Sequence, residues 1–426
     1  MSRKQAAFRL GIANGILFNL GVAFADPNTV LPVFVSRLTE AKAAVGLLSA
    51  LGIGGWLLPQ LLCANYMQHR PYKMGLYRAT ALVRSASWLL VVPAAFLLAG
   101  HAPGLALALF FAGFALFTLG GGAGSIAFMD VVAKTVPTNR LGSFFGARAI
   151  GGGLLAIPAG FLVRHVLGPG GPGFPASFGV LFLLSAVICT MGLACFAFIR
   201  EPAGESHPER EPLLRFLAGA PGLLVADPNF RRLLAASVCL AAVGMVAPFY
   251  IIFGRERLDM PAGMAGAYLS AQMLGSVLSN VVWMPLGNRH SGKVVLYAAG
   301  LVATAVPLGA LAIAWRQLPA GQGQAALYAV FFAMGASGVG GFISFTKYLL
   351  ELAPAADRPR YVGAFNTFGA AAAVFPVAAG LLIQHTSFRL AFGVAAAAGG
   401  LALLTISRLA DLTPSDARVV AVKGAG

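Results

Sequence analysis

The chain has 426 residues, 58% of them apolar and only 10% charged, with 30 basic and 14 acidic side chains and a net charge of +16. An average soluble domain carries about 25% charged residues, so this composition excludes an ordinary water-soluble enzyme. It also argues against a nucleic-acid-binding protein, since no stretch outside the apolar runs is long enough to fold as an exposed basic domain. A bilayer-crossing helix needs about 20 mostly apolar residues. Twelve such runs occur, at 10–36, 44–66, 76–99, 104–131, 144–167, 177–199, 231–253, 262–286, 294–314, 324–349, 361–384 and 388–409. They predict an all-α polytopic membrane protein with a six-helix bundle over 1–199, a linker over 200–230, a second bundle over 231–409 and a tail over 410–426.

The first run holds Asn14, Asn19 and Asn28, and the one acid deep in any span, Asp26. Its length, the Asp26-Pro27 pair and the lack of a small-residue cleavage site argue against a signal peptide. Asp26 lies about 16 residues along the run, about 24 Å at 1.5 Å per residue. An ionisable group at that depth is costly unless paired or wetted, which makes it a functional candidate by default. The plainer reading is that its carboxylate accepts amides freed around Pro27 and fixes a kink.

Gln60 marks the second run. Arg84 in the third reads as a snorkelling side chain, while Arg148 in the fifth is balanced between packing and a cavity role. Glycines crowd at Gly120-Gly121-Gly122, Gly151-Gly152-Gly153 and Gly335 to Gly341, where small residues let helices approach closely. The fourth run ends in Asp130 and Lys134, and the tenth in Lys347 and Glu351, each pair at i,i+4 spacing. Residues 200–230 are the longest polar insert, with Leu213–Val225 expected to lie flat at the interface. Phe249, Tyr250, Gln272, Asn280, Ser344, Phe365, Asn366 and Phe368 are the remaining candidates for a cavity wall. The four cysteines all fall inside apolar runs and read as packing residues. With the N-terminus inside, Arg37, Lys42, Arg164, Arg255, Arg257, Arg316 and Arg389 fall outside and most other basic residues inside. That bias predicts both termini in the cytoplasm.

The linker divides the runs six and six. Gly55-x4-Gln60 and Lys73-x3-Tyr77 align with Gly275-x4-Asn280 and Lys293-x3-Tyr297, 220 positions on. Pro137 and Phe144-Phe145-Gly146 align with Pro354 and Tyr361-Val362-Gly363 at a shift of 217. Two consistent shifts in order predict two homologous halves related by an axis along the membrane normal. The turn Gly287-Asn288-Arg289-His290-Ser291-Gly292-Lys293 also satisfies most of a phosphate-loop pattern, but Val294 stands where Ser or Thr would bind magnesium.

Twelve spans, a 6+6 repeat and a basic tight turn after the second helix of each half resemble the major facilitator superfamily. Gly287, Arg289, Gly292 and Lys293 keep that family's turn motif, with Asn288 in place of its acid, and the first half keeps only basic character at Arg70 and Lys73. The resemblance implies a secondary transporter of the bacterial inner membrane, monomeric and without cofactor, moving a small solute by alternating access. Acids on the first helix serve as proton sites in the family's multidrug antiporters, which Asp26 resembles. A cavity with few fixed charges favours an amphipathic or weakly charged organic solute, with protons or another ion as coupling partner and membrane lipids around it. A lipid flippase or exporter of lipophilic compounds is the alternative within transport. A transport-dead sensor or a membrane-embedded enzyme is the alternative outside it. The repeat also places Asp130 opposite Lys347 and Lys134 opposite Glu351, predicting two ion pairs across the halves when the cytoplasmic gate is shut.

Overall fold

The computed structural model describes residues 3–67, 70–137, 140–204, 222–316, 318–354 and 358–412. The first half comprises α1 (Arg3–Ala23), α2 (Val30–Leu38), α3 (Lys42–Met67), α4 (Met74–Pro93), α5 (Pro103–Thr135), α6 (Leu141–Leu167) and α7 (Ala176–Ala197). The second comprises α8 (Pro228–Gly244), α9 (Phe249–Arg257), α10 (Met264–Leu278), α11 (Asn280–Arg289), α12 (Gly292–Arg316), α13 (Ala320–Leu352), α14 (Arg358–Ala370), α15 (Phe375–His385) and α16 (Phe388–Ser407). Among the described residues, 11 helical segments are long and apolar enough to cross a membrane. The remaining predicted span, the eighth, is α10 with α11, divided at Ser279.

Five predicted runs are therefore not single α-helices, the third because it passes into a π-helical segment at Ala94–Leu98 after Pro93. The first breaks over residues 24–29 and the seventh over 245–248, each at a proline, Pro27 and Pro248. A proline removes a backbone donor and clashes with the preceding turn. The eighth bends where the Asn280 amide donates to the carbonyls of Ser276 (2.8 Å) and Val277 (3.3 Å), a side chain working on the helical ladder. The eleventh tightens into a 3-10 turn at Ala371–Val374 before α15. Elsewhere local signals act as expected. Asp227 caps α8 by accepting from the amides of Asn229 and Phe230, with Pro228 at the first helical position, where its missing donor costs nothing. Residues 205–221, which include most of the segment expected at the interface, lie outside the described residues. Residues 222–226 are helical, and Leu223 is buried with Phe230 and Leu233.

Within the first half α1 packs on α6 and α7, α5 packs on α3 and α4, and α1 and α5 barely touch. In the second half α13 packs on α10 and α12, and α16 joins α12 to α8. The halves meet through α3 with α15 and α6 with α10, and at one end through α2 with α9. Glycine makes these junctions possible: a Cβ on Gly46 would collide with the carbonyl of Pro376, and one on Gly266 with that of Gly160. The apolar core has a corresponding asymmetry. At the end away from the termini one cluster runs through both halves, including Phe34, Phe110 and Phe182 with Tyr250, Phe253 and Phe392. At the terminus end there are two clusters, one built from the first half alone and one from the second alone.

Candidate functional site

Between the halves lies a cavity of about 720 Å³, walled by Phe145, Ala149 and Ile150 of α6, Gln272 and Ser276 of α10, Asn280 and Met284 of α11, and Ser337 and Phe342 of α13. Asn28 and Ala247 reach it from the two helix breaks. Asn28, Gln272 and Asn280 are thus the predicted cavity residues that line it. The others fall elsewhere. Phe249 and Tyr250 are buried, with the Tyr250 ring 5.3 Å from Phe392, because α9 turns its aromatic residues into the shared core. Ser344 is fully buried and donates to the Gly341 carbonyl within its own helix. The Phe365 ring lies 5.7 Å from that of Phe345, tilted at 42°, and Phe368 packs on the second-half cluster at the terminus end. Gln60 and Asn366 are part-buried and outside the lining. Asn19 donates to the Arg148 carbonyl at 3.3 Å, a helix-to-helix tie.

Asp26 sits at the first break, only 4% exposed. One carboxylate oxygen accepts from the Asn28 amide and the Thr29 hydroxyl, both at 2.9 Å. This is an Asx-type turn, in which a short polar side chain accepts from donors two and three residues on; it fixes the chain just ahead of α2, whose own N-cap is Thr29. Across the halves the Gln272 side chain interacts with the same carboxylate. The carbonyl oxygen of Gln272 is buried without a partner.

Two arginines lie inside the first half. Arg148 donates to the Gly11 carbonyl and to Asn14 Oδ1 (2.8 Å), and its guanidinium lies 4.6 Å from the Phe128 ring centre. Asn14 in turn donates to the Gly192 carbonyl at 2.8 Å. Asn14 and Arg148 therefore brace α1, α6 and α7 and face an inner pocket of the first half, not the cavity between the halves. Arg84 does not snorkel. Its guanidinium sits inside the bundle, 4.6 Å from the centre of Phe18 and 4.3 Å from that of Phe117.

At the terminus end each half closes its own charge cluster. Asp130 accepts from Lys73 and forms an ion pair with Lys134, both at 2.6 Å, and Lys134 also pairs with Glu201 at 2.7 Å. Glu201, its side chain 2% exposed, further accepts from the amides of Lys73 and Met74 at 2.8 and 2.7 Å. In the second half Glu351 accepts from the Gly292 amide at 2.8 Å and pairs with Lys347 at 3.5 Å. Lys347 donates to the Gly287 carbonyl. Lys293 lies 3.8 Å from Asp411, and Arg289 is exposed. The four predicted gate residues thus pair within their own halves here. Bonds that cross the halves lie nearer the other end: Lys42 with Glu256, Arg255 with Ser36 (2.6 Å), the Lys42 amide with Gln384 (3.2 Å), and Ser270 with the Ile157 carbonyl (2.8 Å).

Residues 233–424 match the family model described as Major Facilitator Superfamily. No curated protein matches the chain by sequence. Solved structures with the same fold include a D-xylose–proton symporter, 16% identical with a TM-score of 0.69, covering 97% of this chain and 99% of that one. The nucleoside transporter NupG is 14% identical, with a TM-score of 0.68 and coverage of 96% and 100%. A POT family transporter in complex with a thioalcohol-conjugated peptide is 13% identical, with a TM-score of 0.68 and coverage of 95% and 98%. A sugar, a nucleoside and a peptide on one fold mean that the architecture does not name a substrate. The chain is thus a multi-pass membrane protein by its 11 apolar helices, it shares the fold of these transporters over nearly its whole length, and its second half is similar to the Major Facilitator Superfamily.

Proposed function

We propose that the chain is a secondary transporter that carries a small organic solute through the cavity between its halves by alternating access. The observation that carries this reading is the asymmetry of the core: one apolar cluster shared by both halves at the far end, two separate clusters at the terminus end. A protein closed at one end by joint packing and divided at the other has the form of one state of a rocking pair. The excess of Lys and Arg at the terminus end supports a cytoplasmic placement of that end, so this state is open inward. The working unit is a monomer, since both gates are built within one chain.

Asp26 is the coupling residue in this reading. It is buried two residues before Asn28, which lines the cavity, and among the described residues no cation pairs with it. Ionised, it is stabilised by the turn and by Gln272. Protonated, it gains an O–H, and the unpartnered carbonyl oxygen of Gln272 is an acceptor within the same side chain that contacts it. Proton binding and the contact between the halves are thereby linked, which is what coupling requires. The test is transport into proteoliposomes across a panel of sugars, nucleosides, peptides and lipophilic acids, with and without a pH step. Solute-dependent proton flux in the wild type, lost in Asp26→Asn while counterflow exchange persists, is the expected result. pH-driven accumulation unchanged in Asp26→Asn overturns the coupling role.

A further inference from the structure

The helix ring around the central space runs α10, α6, α1, then α5, α3, α15, and the weak contact between α1 and α5 leaves a gap in the first half. Behind that gap, backed by α4 and α7, lies a pocket of about 310 Å³ walled by Trp56, Trp88, Phe110, Phe114 and Phe117. Arg84 reaches into it and also borders a second pocket of about 230 Å³. The two phenyl faces of Phe18 and Phe117 hold the guanidinium plane by cation–π attraction, yet they satisfy none of its five N–H donors. Arg84 makes no hydrogen bond or ion pair among the described residues, and its Nε is buried with no partner. The indole N–H of Trp88, a side chain 8% exposed and on the same wall, is also buried and unpartnered.

Such a pair of free donors is expensive to keep in an apolar interior. Arg84 is part-buried, and a cation held inside a membrane protein without a counter-ion is costly. The site is nevertheless built for it. A Cβ on Gly120 would stand 2.8 Å from Arg84 Cγ, and one on Gly121 would stand 3.4 Å from Cζ. The glycine run on α5 is the cradle of this side chain. The equivalent position in the second half is Thr304, whose hydroxyl donates to the Gly300 carbonyl at 2.7 Å, so the repeat itself does not require an arginine there.

We propose that this pocket is a binding subsite for an organic anion, a carboxylate on a compact apolar or aromatic body, with the carboxylate on Arg84 and the body among the aromatic side chains. Bidentate pairing with a planar carboxylate suits a guanidinium. The Trp88 N–H supplies a further donor on the same wall. As a binding site it stands on its own. As the anchor of a transported substrate it rests on the transport reading above.

The pocket's own tryptophans provide the test. The full-length protein in phosphatidylcholine nanodiscs is titrated with 4-bromophenylacetate, whose bromine quenches indole fluorescence on contact, and with the neutral 4-bromophenylacetamide. A second arm uses 11-bromoundecanoate delivered through the bilayer, which separates a membrane-borne acid from a soluble one by which probe binds more tightly. At least one acid is expected to quench saturably and the amide at least tenfold more weakly. Arg84→Gln is expected to weaken the acid at least tenfold, Arg84→Lys less, and Trp56→Phe with Trp88→Phe to remove the quench. Equal quenching by acid and amide in the wild type overturns the proposal without recourse to any variant, as does unchanged acid binding in a folded Arg84→Gln. Either result leaves the transport reading intact if solute flux in proteoliposomes persists.

Discussion

The first helix of the first half breaks over Asp26, Pro27, Asn28 and Thr29, and the corresponding helix of the second half over Met245, Val246, Ala247 and Pro248. The backbone interruption is kept in both, and only one is polar. The same contrast recurs deeper in. Arg84 projects into an open pocket, while at the equivalent depth Thr304 closes on its own helix and its hydroxyl lies where a Cβ on Gly399 would stand. The break and the close packing are what the shared scaffold needs, because both halves have them. The buried charges are additions to one half, which is where chemistry specific to this chain is to be sought.

Moving the charge across the repeat should break the symmetry most severely. Thr304→Arg places an uncompensated cation where there is no pocket, at an expected cost of about 3–5 kcal/mol, and is expected to leave little monodisperse protein in size-exclusion chromatography. Arg84→Met, similar in volume and apolar, should instead melt at or above the wild-type temperature, because it removes an unpaired charge. A wild-type-like Thr304→Arg would mean that the halves do not differ in this way.

A smaller effect distinguishes the two glycine contacts that the repeat pairs. A Cβ on Gly275 meets the backbone carbonyl of Phe332, whereas one on Gly55 meets the Thr118 side chain. Both alanine variants should lower stability by about 1–3 kcal/mol. Only the second should be rescued, by Thr118→Ala, as read in thermal melts of the single and double variants.

Asp26 sharpens the comparison further, because its two roles respond to different substitutions. Asn forms the same kind of turn as Asp, so Asp26→Asn should melt within about 0.5 kcal/mol of wild type while losing pH-driven transport. Asp26→Ala should cost about 1 kcal/mol through the lost Asn28 and Thr29 bonds. Equal melts for Asn and Ala would remove the turn-fixing role.

Much of this was legible in the sequence. The length of the apolar runs gave the spans, and Pro27 and Asn280 stand where the first and eighth runs depart from a single helix. The spacing of Asp130 to Lys134 and of Lys347 to Glu351 permits the pairs found within each helix, whereas the repeat favours pairs across the halves. What composition could not give was rotation about the helix axis. In a membrane the outside of a bundle is as apolar as its inside, so a stripe that would orient a soluble helix is missing. Arg84 is therefore legible in depth and not in direction, and Phe249 and Tyr250, candidates for a cavity wall, are turned into the core by α9. Glycines at 120 and 121 were the available signal for Arg84, but the same residues serve ordinary packing. Glu201 was missed for another reason. It follows the last helix of its half by a few residues, as Asp411 does in the other half, and both acids reach the loop before the third helix of their own half. Glu201 stands at the start of the 200–230 linker, whose polar composition gives no sign that its first acid folds back onto the bundle.

The smallest expected energy belongs to the far-end gate, and it gives the most direct test of alternating access. Lys42 and Glu256 are part-exposed, and such a pair contributes about 0–1 kcal/mol, enough to shift populations of states separated by a few kcal/mol. Spin labels at residues 40 and 257 report the far end, and labels at 140 and 289 the terminus end, by double electron–electron resonance in nanodiscs. Glu256→Lys should lengthen the first distance and shorten the second, and adding Lys42→Glu should restore both. If the two distances stay fixed, or lengthen together, the halves do not rock about the central cavity and the transport account fails.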